Sequence, residues 1–207
     1  MPDAPAKPTI SRRGVLGFIG AGTLALLVVG GTQTVDPLRR LAVLAPYGEV
    51  YPPGPNGFQV NKTARFRGIT AAMADSWSLL VHGRNVLRLS REELLALPQH
   101  THELPIACVE GWSTSQRWTG VPLRDLAQKV GLDPTEVFVE SLQKTGSFGA
   151  VRLSSGQVAD ERSLLAVKVN GTDLALDHGF PARLIIPNGP GVHNTKWVRR
   201  LTFGGRS

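Results

Sequence analysis

The chain has 207 residues, enough for one domain with a proper hydrophobic core and little room for a second. Hydrophobic residues make up 42% and charged residues 19%, which excludes a disordered polar chain, a collagen-like repeat and a polytopic membrane protein. Lysine and arginine total 23 against 16 acidic residues, a net charge of +7. That excess invites a nucleic-acid reading, but part of it is spent elsewhere: Lys7, Arg12, Arg13, Arg39 and Arg40 against Asp3 and Asp36 flank an apolar run, the pattern of a targeting segment. No nucleic-acid partner is expected.

After Arg12-Arg13 the sequence carries no charge from Gly14 to Val35, a run of 22 residues that as a helix covers the roughly 30 Å hydrocarbon layer. A twin arginine before a moderately apolar, glycine-bearing run is also the form of a signal that exports folded proteins. Both readings place the domain outside the cytoplasm, and the want of a clean small-x-small cleavage site favours a retained anchor. Residues 1–35 are therefore expected to be a twin-arginine signal or membrane anchor made of one hydrophobic helix. Residues 36–57, where APYGEVYPPGPNG holds four prolines and three glycines, are expected to form a linker, and 58–207 the domain.

Beyond Phe58, β-rich runs recur at 77–82, 104–109, 137–142, 164–169 and 182–187, and Asn170-Gly171 supplies a tight hairpin turn. Ser90 with Glu93 makes a capping box for a helix that stops at Pro98, and Leu123, Leu126, Ala127 and Val130 space a second helix after Pro122. The expected fold class is α+β, mostly β.

The one cysteine, Cys108, ends the apolar run Leu104–Val109 before Glu110-Gly111-Trp112, so a strand delivers its sulfur to a turn. Its residue type allows core packing, a thiolate nucleophile paired with His178 or His193, or a zinc site with His100 and His102. A second constellation lies near the C-terminus, where Asp177-His178-Gly179-Phe180-Pro181-Ala182-Arg183 is followed by Asn188-Gly189-Pro190-Gly191-Val192-His193-Asn194-Thr195-Lys196-Trp197. A glycine-rich loop with free N–H groups between Arg183 and Lys196 suits a phosphate, which arginine binds as a fork and lysine as a point charge.

CVEGWS with WTGVPLRDL, LLAVKVNG, DHGFPARLIIP and KWVRRL resemble, over roughly residues 56–204, the molybdopterin-binding domain of the sulfite oxidase family of oxidoreductases. That family includes nitrate reductases and the periplasmic methionine-sulfoxide reductase. The resemblance implies a mixed-sheet domain that binds a molybdenum-molybdopterin cofactor, with Cys108 as the protein's catalytic ligand to the metal. It places His178, Arg183, His193 and Lys196 on the pterin and its phosphate, adds Asn61 and Ser141 as further cofactor contacts, and suggests Arg117 and Arg152 for the substrate pocket. A soft metal held by pterin sulfurs is well served by one more thiolate, and a buried phosphate needs paired cations. The sequence carries neither the haem domain nor the immunoglobulin-like domain of the animal-type members. Electrons are accordingly expected to pass through a separate haem- or quinone-linked membrane partner during oxygen-atom transfer with a small substrate. The rival reading is a non-catalytic basic binding module on the outer membrane face.

Overall fold

The computed structural model describes residues 54–107, 113–144, 146 and 149–205. The apolar run Gly14–Val35 and Cys108 lie outside them. Among the described residues ten strands build two five-stranded sheets, with few and short helices, the α+β, mostly β architecture that the pattern of runs predicts. In the first sheet the order is β2-β1-β10-β5-β6, formed by β1 (Leu79–His82), β2 (Val86–Leu89), β5 (Val137–Ser141), β6 (Ala150–Leu153) and β10 (Val198–Phe203). Its β1–β10 pair is parallel and the others are antiparallel, so the sheet is mixed.

The second sheet is antiparallel: β3 (His100–Ala107) pairs β4 (Ser113–Pro122), and β4 pairs β7 (Leu164–Val169). The far edge of β7 carries both β8 (Thr172–Asp173) and β9 (Arg183–Ile185). The β7–β8 turn is the predicted Asn-Gly turn, with Asn170 at φ 51° and Gly171 at φ 82°, the two positive values a tight hairpin requires. At Thr119/Gly120 the β4–β7 register shifts, and a Cβ on Gly120 would collide with the carbonyl of Leu165, so only glycine closes this bulge.

Strand β7 divides its side chains between two cores by the strand's period of two. Leu165 and Val167 join the larger cluster between the sheets with Leu79, Val81, Val139, Leu201 and the helix residues Leu94, Leu123 and Leu126. Leu164 and Ala166 join a smaller cluster with Phe58, Leu104, Ile106, Trp118 and Ile185. The same alternation acts on β9: Leu184 enters the larger core, whereas Ile185, and with it Arg183 two positions earlier, takes the side of the smaller one. Both predicted helices form. Arg91–Ala96 carries the Ser90–Glu93 capping box, and Leu123–Lys129 follows Pro122.

Candidate cofactor site

The smaller core ends in a cluster of cations and amides. Arg183 is 4% exposed, with its guanidinium over the Trp118 ring at 5.1 Å from the centroid. It donates through Nη1 to the carbonyl of His178 at 2.9 Å and through Nη2 to that of Asn194 at 3.3 Å. Among the described residues no carboxylate pairs with it, and its Nε has no partner although buried. Burial lowers its pKa to about 10, which leaves it charged at neutral pH. A buried cation offset only by carbonyl dipoles and a π-face is costly, and an anion would relieve that cost.

His178, at the end of the turn Leu176–His178, is 1% exposed and stacks on Phe58 at 3.9 Å between centroids. Its Nδ1 lies 2.9 Å from Asn56 Oδ1, an atom that also accepts the Ala175 N–H, so the ring donates there. Asn56 Nδ2 in turn donates to the Asp173 carbonyl. Ordered contacts therefore reach into the Pro/Gly-rich stretch ahead of Phe58, and one asparagine clamps the His178 ring to the β8 turn. Asn56→Ala strands the Ala175 amide and His178 Nδ1; unfolding in denaturant should show a loss of about 2–4 kcal/mol, given about 1–3 kcal/mol for each unsatisfied buried group.

Lys196 donates through Nζ to the carbonyls of Asp177 at 2.7 Å and Lys62 at 3.0 Å. Gly179, at φ 110°, separates the two cations: a Cβ there would lie 3.0 Å from Arg183 Cβ and 3.2 Å from Lys196 Cβ. Thr195 abuts β9 through the bond from Leu184 N–H to its carbonyl, and its buried Oγ1 lacks a partner.

The predicted residues divide accordingly. His178, Arg183 and Lys196 come together. Ser141 donates to the Lys196 carbonyl at 2.7 Å and accepts the Gln143 N–H, so it positions the lysine's backbone. His193 accepts at Nδ1 from Gln157 Nε2 at 2.8 Å; the Gln157 Oε1 is occupied by Ser154 N–H, so a neutral His193 carries its proton on Nε2. Asn61 is exposed and accepts only from the neighbouring Lys62 amide among the described contacts. Arg152 turns to Glu136 and the Phe138 ring in the other sheet, and Arg117 lies on β4 near the β7–β8 turn, its amide donating to Asn170 Oδ1. Of the loop amides expected to meet a phosphate, those of His193 and Asn194 bond to the Pro190 and Gly191 carbonyls within their own turn. The buried side-chain donors left without a partner in this cluster are Arg183 Nε and Thr195 Oγ1. His100 and His102 share a face of β3 with ring centroids 6.3 Å apart, but no three His, Cys, Asp or Glu groups converge among the described residues.

The model of the oxidoreductase molybdopterin binding domain matches residues 67–207. The chain belongs to that family. Similar proteins include the uncharacterized oxidoreductase YuiH of Bacillus subtilis, 33% identical over 61% of this chain and 65% of that one. The protein-methionine-sulfoxide reductase catalytic subunit MsrP of Gluconobacter oxydans is 27% identical over 95% of this chain and 70% of its own. Among solved structures, the sulfane dehydrogenase SoxCD of Paracoccus pantotrophus matches with a TM-score of 0.58 and 27% identity, covering 65% of this chain and 39% of that one. The chain thus spans less than two thirds of YuiH and of the SoxCD chain.

For a member of the molybdopterin-binding family the cofactor is molybdopterin with molybdenum, and the cluster fits its anionic part. An uncompensated buried arginine, two spare buried donors and a position that a Cβ would crowd are what a phosphate-bearing group requires.

His178 makes the site pH-sensitive. Its pKa falls to about 4, first through burial and then through the charge of Arg183, with Lys196 adding a smaller share. A histidine whose folded pKa lies below its unfolded value of about 6.5 contributes stability that is complete above pH 6.5 and lost as pH falls toward 4. Cofactor-free protein should lose on the order of 3 kcal/mol across that window, and His178→Gln should flatten the loss in denaturant titrations at stepped pH. A bound dianion offsets the repulsion from Arg183 and Lys196 and brings the folded pKa back toward 6.5, so the same acid loss should be smaller in loaded protein.

Proposed function

We propose that the chain is an exported, membrane-held molybdenum oxidoreductase that moves an oxygen atom to or from a small sulfite-like or sulfoxide-like substrate. The observation that carries this reading is Arg183, a buried cation without a counter-charge among the described residues, set in a chain of the molybdopterin-binding family. Cys108 is the metal's thiolate; β3 ends at Ala107, the residue before it. Arg183, Lys196 and Thr195 hold the cofactor's phosphate, and Asn56 fixes the His178 ring beside it, the ring being held neutral by burial and the charge of Arg183. When bound, molybdenum supplies the oxygen-atom and two-electron chemistry, while the chain supplies binding, position and charge.

Electrons are exchanged with a separate haem- or quinone-linked redox protein. The relative MsrP is named as a catalytic subunit, which supports a division of labour between chains. Residues 1–35 act as the twin-arginine signal or anchor and 36–57 as the tether, whose last residues, Asn56 among them, pack onto the catalytic domain of 58–207. No helix among the described residues is long and apolar enough to cross a membrane.

Protein from a molybdenum-replete host, assayed with artificial electron carriers, should either reduce a sulfoxide or oxidise sulfite; inactivity in both directions at full metal loading contradicts oxygen-atom transfer to such substrates. Export is tested separately. Arg12→Lys with Arg13→Lys should leave the chain in the cytoplasm, and undiminished export of that variant contradicts the twin-arginine route.

A further inference from the structure

Phe66 is 66% exposed, one of two large hydrophobic side chains left in solvent among the described residues. It projects from the short turn Arg65–Arg67, which has no acidic residue in its first turn, and the stretch Asn61–Thr70 has none either. Lys62 Nζ stands 5.3 Å and Arg67 Cζ 5.5 Å from the Phe66 ring centroid, and Arg65 is exposed beside it. The ring is thus collared by cations.

The turn is fixed rather than loose. Thr63 Oγ1 accepts the Phe66 N–H, the Arg67 N–H bonds to Ala64, and the buried Ala64 donates its own N–H to Asp177 Oδ1 at 2.7 Å. Asp177 and Lys62 are also the residues whose carbonyls accept Lys196 Nζ. The exposed ring and the cofactor lysine therefore share one scaffold.

We propose that the Lys62–Arg67 turn is a membrane contact that lays the Phe66 ring among the headgroups of an anionic bilayer. The proposal rests on the membrane-held reading above. An aromatic ring amid lysine and arginine matches the interface of an anionic leaflet, where the ring enters the headgroup layer and each cation adds attraction. The chain supplies the proximity, since Phe66 follows the end of the uncharged run at Val35 by only 31 positions. Contact through this turn holds the Lys196 side of the cofactor site next to the bilayer, where a membrane-bound redox partner resides.

The test uses the full chain loaded with cofactor and carrying Phe66→Trp, in vesicles of brominated phosphatidylcholine with or without phosphatidylglycerol. The expected result is blue-shifted, bromine-quenched emission from position 66 in the anionic vesicles, above the background of the four native tryptophans. Adding Lys62→Gln and Arg65→Gln should lower the docked-to-undocked ratio about fivefold per charge removed. Unquenched emission in anionic vesicles overturns the proposal, as does equal quenching with and without phosphatidylglycerol. A blue shift that needs no lipid and grows with protein concentration also overturns it, assigning the patch to a second copy of the chain. Vesicle flotation reports the anchor independently: if the doubly neutralised protein no longer floats while the parent does, the turn alone holds the membrane and the anchor reading fails without touching the proposal.

Discussion

Arg183→Met should produce folded protein that has lost its pterin, and the cofactor-free variant should unfold no earlier than cofactor-free wild type. The two halves of this expectation have opposite causes. In the empty protein Arg183 is a desolvated cation without a carboxylate among the described residues, so a volume-matched apolar side chain removes a desolvation cost and leaves two carbonyls, of His178 and Asn194, to lose a donor. In the loaded protein the same substitution leaves a buried phosphate under-paired, a loss of about 2–5 kcal/mol of cofactor binding. Pterin, assayed as its oxidised fluorescent derivative, should therefore fall steeply in Arg183→Met and less in Lys196→Ala, whose cation is also anchored less deeply. Equal pterin in wild type and both variants contradicts the phosphate assignment.

Cys108→Ser separates metal ligation from packing. Serine nearly preserves volume but offers a harder oxygen donor to a soft metal. If the sulfur ligates molybdenum, the variant keeps its pterin through Arg183 and Lys196 yet loses the sulfur-to-metal absorption and almost all oxygen-atom transfer with an artificial carrier. A variant with wild-type visible spectrum and turnover shows that Cys108 only packs.

Where local chemistry dictated an element, the sequence made it readable. The Ser90–Glu93 box, the Asn170-Gly171 turn and the apolar run of β7 each declare themselves within a few residues. Strand β4 did not: STSQRWTGVP is polar, with a glycine and a proline, and is strand only because β3 and β7 pair with its two edges. The helix Ser155–Ala159 did carry a signal, the Ser154–Gln157 capping box, which was as legible as the one at Ser90.

The site shows the same division. His178, Arg183 and Lys196 stand within one stretch of sequence and were visible as a cluster. Asn56 was assigned to the tether because its proline and glycine neighbours dominate the local pattern, whereas its partners Ala175 and His178 lie 119 and 122 positions away. Trp118 beneath Arg183 likewise depends on β4, β7 and β9 lying side by side, which no local motif encodes. Within the Gly191–Thr195 loop the amides of His193 and Asn194 turn inward for a local reason: a tight turn consumes its own N–H groups.

The central claim is that the buried cation cluster and Cys108 exist to hold one molybdenum-bearing pterin. Elemental analysis and pterin quantification on the same purified wild-type sample, from a host supplied with molybdenum and competent in cofactor synthesis, test it most directly. The account predicts molybdenum and pterin in equal amounts, approaching one of each per chain. A well-folded chain that carries neither contradicts it and leaves a basic binding module that has kept the fold without the metal.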